Sequence, residues 1–185
     1  MERALEAGAP CIQLRDKGRT VRESLPLARA LRESTQRAGA LFFVNDRLDL
    51  ALAVQADGVH LGPDDLPLEA VSAVRPPGFL VGYSTDDPAE AERAEAHGAD
   101  YLGCGTVFPT TSKGDAGRVI GPDGLRSVVR RVSVPVVGIG GVNPLRAWEV
   151  AGAGASGTAV IGAVMSAEFP EDAVRQLLRP FPGGD

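Results

Sequence analysis

Histidine and cysteine are scarce in this chain, two of each among 185 residues, and aromatics make up only 5%. Cys11 and Cys104 stand far apart in apolar runs. Without a Cys-x-x-Cys spacing, a zinc site or disulfide framework is disfavoured, and a reducing compartment fits. Cys104 reads as a small buried hydrophobe. His60 lies inside an apolar run and His97 near a helix end, neither with a plausible triad partner, so acyl transfer is disfavoured. A basic excess is missing too. The formal net charge of −5 argues against electrostatic binding to nucleic acid. No apolar run approaches the ~20 residues needed to span a bilayer, so no membrane association is expected. The opening Met1-Glu-Arg-Ala-Leu-Glu-Ala is charged and lacks the apolar core of a signal peptide, so a cytoplasmic location is expected.

Glycine and proline, by contrast, are plentiful, at 23 and 14 residues, and 44% of the chain is hydrophobic. The length suits one domain over residues 1–185 with a substantial core. Short apolar runs predict strands at Cys11–Leu14, Leu41–Val44, Gly58–Leu61, Phe79–Gly82, Tyr101–Cys104, Val134–Gly138 and Thr158–Ile161. Several are apolar on consecutive residues, as in parallel strands buried on both faces. Helices are expected near 20–38, 46–54, 67–74, 87–97, 122–131, 143–153 and 169–178, with Asp87-Pro88 and Asn143-Pro144 as cap-plus-proline starts. Before the strands, Glu6-Ala-Gly-Ala, Arg37-Ala-Gly-Ala, Gln55-Ala-Asp-Gly, Ala96-His-Gly-Ala-Asp and Ala151-Gly-Ala-Gly-Ala each offer a glycine for a left-handed helix end. Repeated βα units imply a parallel sheet, and no dinucleotide fingerprint follows the first strand. The expected fold is an α/β TIM (β/α)8-type barrel, N-terminally short and lacking its first strand.

Active residues of such barrels sit at the carboxyl ends of the strands. Gln13, Arg15 and Lys17 alternate onto one face after the first strand, an amide and two cations suited to a multiply charged oxyanion. Asn45-Asp46 and Asp64-Asp65 follow the next two strands. Carboxylates there suit Mg²⁺ bridging to phosphate, although Asp46 equally suits a helix cap. Gly82-Tyr-Ser84 comes next. The loop from Gly103 to Lys113 carries Thr110, Ser112 and Lys113, which are placed to reach anionic oxygens. Gly138-Ile-Gly140-Gly141 and Gly157-Thr-Ala-Val-Ile161-Gly162 are loops whose backbone N–H groups can approach a phosphate. Two anion sites at one rim suit the joining of a pyrophosphate-bearing to a monophosphate-bearing substrate.

Gln13-Leu-Arg-Asp-Lys17, Asn45-Asp46-Arg47-Leu-Asp49-Leu-Ala-Leu, Ala56-Asp-Gly-Val-His-Leu-Gly62, Pro109-Thr110-Thr-Ser112-Lys113 and Ile139-Gly140-Gly141 stand in the order seen in thiamine phosphate synthases, which the chain resembles over nearly its whole length. The resemblance implies condensation of 4-amino-5-hydroxymethyl-2-methylpyrimidine pyrophosphate with a thiazole phosphate, by early loss of pyrophosphate and capture of a pyrimidine carbocation. It implies Arg15, Lys17, Lys113 and Ser84 as catalytic groups, with Gln13 and Asn45 also on the pyrophosphate. It further implies Thr110, Ser112, Gly141, Ile161 and Gly162 around the thiazole phosphate, and Mg²⁺ on Asp46 and Asp65. The family usually has Gln, His and Ser where Pro63, Asp86 and Gly162 stand. Alternatives are the related thiazole tautomerase, which uses a histidine where Thr106 stands, and a non-catalytic paralogue binding thiazole phosphate or thiamine phosphate. A homodimer is expected, because an incomplete barrel exposes an apolar edge.

Overall fold

The computed structural model describes residues 1–110 and 117–183. Its elements are α1 (Glu2–Glu6), β1 (Cys11–Leu14), α2 (Val21–Ala38), β2 (Leu41–Asn45), α3 (Leu48–Ala53), β3 (Gly58–Leu61), α4 (Leu68–Ser72) and β4 (Leu80–Ser84). They continue with α5 (Pro88–Ala96), β5 (Tyr101–Cys104), α6 (Gly121–Val129), β6 (Val136–Ile139), α7 (Pro144–Gly152), β7 (Gly157–Ala159), α8 (Gly162–Met165) and α9 (Pro170–Leu178). The strands form one parallel sheet whose spatial order is the chain order, β1 to β7. This is the expected (β/α)8-type barrel, short of one strand among the described residues. Among the described residues no helix is long and apolar enough to cross a membrane.

Alternation along each strand separates two cores. Phe42 and Val44 of β2, Val59 and Leu61 of β3, and Leu102 of β5 share a buried cluster with Ala28, Leu31 and Val71 of the helices. Each of the valine, leucine and phenylalanine side chains among them contributes roughly 1.5–3 kcal/mol. The intervening residues face inward. There Phe43 meets Tyr101 edge to face, with ring centroids 5.3 Å apart, and His60 lies beside the same tyrosine. Glycine makes room for these rings: a Cβ on Gly82 would lie 2.2 Å from Tyr101 and 2.5 Å from His60 Nδ1.

The lower rim is tied by a device that occurs twice. Asp57, just before β3, accepts from Arg32 Nη1 at 2.6 Å and from the Phe42 backbone N–H at 2.7 Å. Asp100, just before β5, accepts from Arg75 and from the Val81 N–H, the latter at 2.7 Å. Each carboxylate thus joins the arginine lying 25 residues before it to the neighbouring strand.

The expected caps form: Asp87 accepts from the Glu90 N–H at 2.7 Å and Asn143 from the Arg146 N–H at 3.0 Å. Gly8, Gly39, Gly98 and Gly154 all have positive φ, as the helix-to-strand pattern implies. The Gln55-Ala-Asp-Gly58 joint differs. Gln55 itself takes the left-handed conformation, at φ 52°, and Gly58 instead opens β3, where a Cβ would meet Phe43 at 2.4 Å. The last strand also ends earlier than expected, at Ala159, because Gly162–Met165 turns into the short helix α8.

Removing a carboxylate from this rim leaves a partly buried guanidinium and a strand N–H without a partner. Asp57→Ala should therefore cost about 2 kcal/mol in urea denaturation. Asp123→Ala, which breaks an exposed pair with Arg126, should leave the midpoint nearly unchanged. Equal effects from the two variants would contradict the clamp.

Candidate active site

The carboxyl ends of the strands open on one cavity of about 380 Å³. Arg15 and Lys17 line it from β1, Asn45 and Asp46 from β2, Gly62 to Asp65 from β3 and Ser84 from β4. Thr106 and Thr110 follow from the loop after β5. Ile139 to Val142 after β6 and Ala159 to Ala163 after β7 close the opposite wall. Ser112 and Lys113 lie outside the described residues. Gln13 shares the inward face of β1 but is exposed and not in the cavity wall; its side chain lies near Tyr101.

The structure removes one of the two roles open to Asp46, that of a helix cap. It has φ 64°, a left-handed conformation that aspartate tolerates better than most residues, and its N–H donates to the His60 carbonyl at 2.8 Å. The kink delays α3 until Leu48, so Asp46 caps nothing and Arg47 occupies the cap position with no side-chain bond to the helix backbone. The freed carboxylate accepts from Asn45 Nδ2 and lies 3.6 Å from Lys17 Nζ. Asp65 stands against it, with one oxygen held by the Gly62 N–H at 2.7 Å. Burial raises the Asp46 pKa above the usual 3.8, and Asp65 raises it further, while Lys17 opposes both. Two adjacent carboxylates with cations nearby suit a divalent ion, since Mg²⁺ takes one or two carboxylates plus water and phosphate oxygens. Among the described residues no group of three or more histidine, cysteine or acidic side chains gathers to hold a metal.

His60 is not the partnerless core histidine that the sequence suggests. Its ring nitrogens lie 2.7 Å from Ser84 Oγ and 2.9 Å from the Tyr101 hydroxyl. Contacted at both nitrogens, the ring holds Ser84 at the cavity wall. The signal was a polar residue at an inward register position of β3, paired to Gly82 across the sheet. Thr106, buried in the wall, was likewise not assigned a contact.

The opposite wall carries little charge. Ile139 O accepts from the Val107 N–H at 2.9 Å and Gly140 O from the Phe108 N–H at 3.0 Å, which joins the loops after β5 and β6. Gly141, at φ 61°, packs so close that a Cβ would lie 2.6 Å from the Phe108 carbonyl oxygen. Among the described residues, the N–H groups of Gly141, Val142, Gly162 and Ala163 make no hydrogen bond. They are donors available to an anion. Pro63 and Gly162 stand in the wall, whereas Asp86 is exposed and outside it.

Comparison with known proteins places the chain that carries this cavity. The family model for thiamine monophosphate synthase aligns with residues 1–164. The chain belongs to the thiamine monophosphate synthase family. It is 51% identical over 174 residues to the thiamine-phosphate synthase of Moorella thermoacetica, covering 94% of this chain and 83% of that protein. It is 54% identical over 175 residues to the synthase of Methanocella arvoryzae, covering 95% and 82%. The solved thiamine phosphate pyrophosphorylase from Pyrococcus furiosus superposes with a TM-score of 0.88 at 47% identity, covering 97% of this chain and 86% of that one.

In this member of the thiamine monophosphate synthase family, the raised Asp46 pKa has a consequence for folding. The folded chain holds that proton more tightly than the unfolded chain. Its contribution to stability is therefore complete below 3.8 and is lost as pH rises through the raised value. Asp46→Asn should raise the melting temperature of the metal-free protein near neutral pH, with a gain that shrinks toward acid. A lower melting temperature at neutral pH would contradict the repulsion.

Proposed function

We propose that the chain condenses 4-amino-5-hydroxymethyl-2-methylpyrimidine pyrophosphate with a thiazole phosphate, giving thiamine phosphate and pyrophosphate. The observation that carries this reading is the facing of Arg15, Lys17 and Asp46 with the free amides at 141–142 and 162–163 in one cavity. The bond from the pyrimidine methylene to the pyrophosphate oxygen breaks first, and its electron pair leaves with the pyrophosphate. The thiazole nitrogen lone pair then captures the resulting carbocation. No proton needs to move, so a tuned general base is not required.

The residues divide this work by charge. Arg15 binds the departing anion through its planar fork and Lys17 as a point charge, and both interactions strengthen as negative charge grows. Lys113 joins them on this reading, with Gln13 and Asn45 as amide donors. Ser84, held by His60, donates to a pyrophosphate oxygen. Asp46 and Asp65 would hold Mg²⁺, which supplies further neutralisation of the leaving group. Thr110, Ser112, Gly141, Ile161 and Gly162 seat the thiazole phosphate, where Gly162 offers only its main chain. The tautomerase alternative uses an imidazole where Thr106 stands. The same reading makes the protein a cytoplasmic enzyme of small molecules. Its open β1 and β7 edges suit pairing with a second copy.

Purified protein supplied with both substrates and Mg²⁺ should form thiamine phosphate, detected by chromatography. Arg15→Ala and Ser84→Ala should each lower kcat by about 10²-fold or more, the usual loss for a group that meets charge developing in the transition state. Binding of the substrates without product would support the non-catalytic alternative. Near-normal kcat in both variants would remove the assigned roles.

A further inference from the structure

The joined loops at 107–108 and 139–140 run out of main-chain donors one residue too soon. Val107 N–H serves Ile139 O and Phe108 N–H serves Gly140 O. The next donor in the series would be residue 109, opposite Gly141 O, but Pro109 has no N–H. The gap is filled from α7. Arg146 Nη1 donates to Gly141 O at 2.8 Å, and its guanidinium lies 4.8 Å above the centre of the Phe108 ring. The arginine is itself seated in the first turn of α7, where its N–H donates to the Asn143 cap.

We infer that Arg146 is a positioning residue for the phosphate end of the cavity, acting by fixing the peptide between Gly141 and Val142. A trans peptide is planar, so its C=O and N–H point in opposite directions. Holding Gly141 O outward on Arg146 turns the Val142 N–H the other way, and Val142 belongs to the cavity wall while Arg146 does not. Glycine at φ 61° leaves this peptide easy to rotate, so an external tether decides its orientation. The charged donor also draws electron density along the amide and strengthens the opposite N–H as a donor. Phe108 limits where the guanidinium can sit and brings the loop leading to Thr110 into the same assembly.

The inference rests on the proposed seating of the thiazole phosphate, and the test separates the two. Arg146→Met keeps the bulk of the stem without donor or charge, and Arg146→Lys keeps a charged donor. Steady-state kinetics should show the KM for thiazole phosphate rising about tenfold in Arg146→Met, as expected for one charge-assisted hydrogen bond. Both kcat and the KM for the pyrimidine pyrophosphate should stay within about twofold, and Arg146→Lys should recover most of the loss. Calorimetric titration with thiazole phosphate alone should show the same weakening without any turnover. An unchanged KM, equal losses on both substrates, or no recovery with lysine would overturn the inference. If the wild type binds thiazole phosphate but makes no product, the proposed reaction fails while the titration still decides the role of Arg146.

Discussion

A parallel sheet whose spatial order follows the chain delivers every strand's carboxyl end to one rim, and the site depends on that constraint. Residues as distant in sequence as Arg15 and Gly162 become walls of one cavity because seven successive βα units place them there. On one side, Lys17 and the Asp46–Asp65 pair form a region of dense opposite charge. On the other, the available groups are main-chain amides with no net charge. Under the proposed reaction, the first would grip through Coulombic attraction, which suits charge that increases during reaction, and the second through fixed dipoles, which suit charge that does not change.

This arrangement is held under tension. Asp46 occupies a left-handed backbone conformation, and its carboxyl is crowded by Asp65. Such local costs gather at functional sites and are offset elsewhere. The compensation lies in the outer core between strands and helices and at the lower rim, where Asp57 and Asp100 tie arginines to strands. Between the two ends lies the tightly fitted layer of Phe43, His60 and Tyr101. Glycines at 58, 82 and 103 admit those rings, so the floor of the site depends on the absence of side chains beneath it.

Much of this was readable from residue types and spacing. Consecutive apolar runs located the strands to within a few residues, since burial on both faces leaves no polar alternation. Asp87-Pro88 and Asn143-Pro144 identified their helix starts because capping is a local interaction between neighbouring residues. The strand-end cations, carboxylates and glycines also stood out, since a short stretch of polar residues after an apolar run is itself local. That Asp46 caps no helix was not readable. A cap calls for the same side chain, and only the kink tied to the His60 carbonyl takes Asp46 away from the start of α3.

What the chain determines alone is therefore the order of elements, the face each residue takes within its strand, and the supply of charged and bare groups at the rim. These follow from periods of two and 3.6 residues and from turn chemistry, which act over a few positions. Tertiary structure decided the rest. His60 gained Ser84 and Tyr101 from strands lying 24 and 41 residues further on. Gln55 took the left-handed turn that glycine takes at other joints, and Gly58 lies against Phe43. Arg146 acquired its function from a hydrogen-bond vacancy created by Pro109 on another loop. Each depends on distance and direction between elements remote in sequence, which local spacing does not encode.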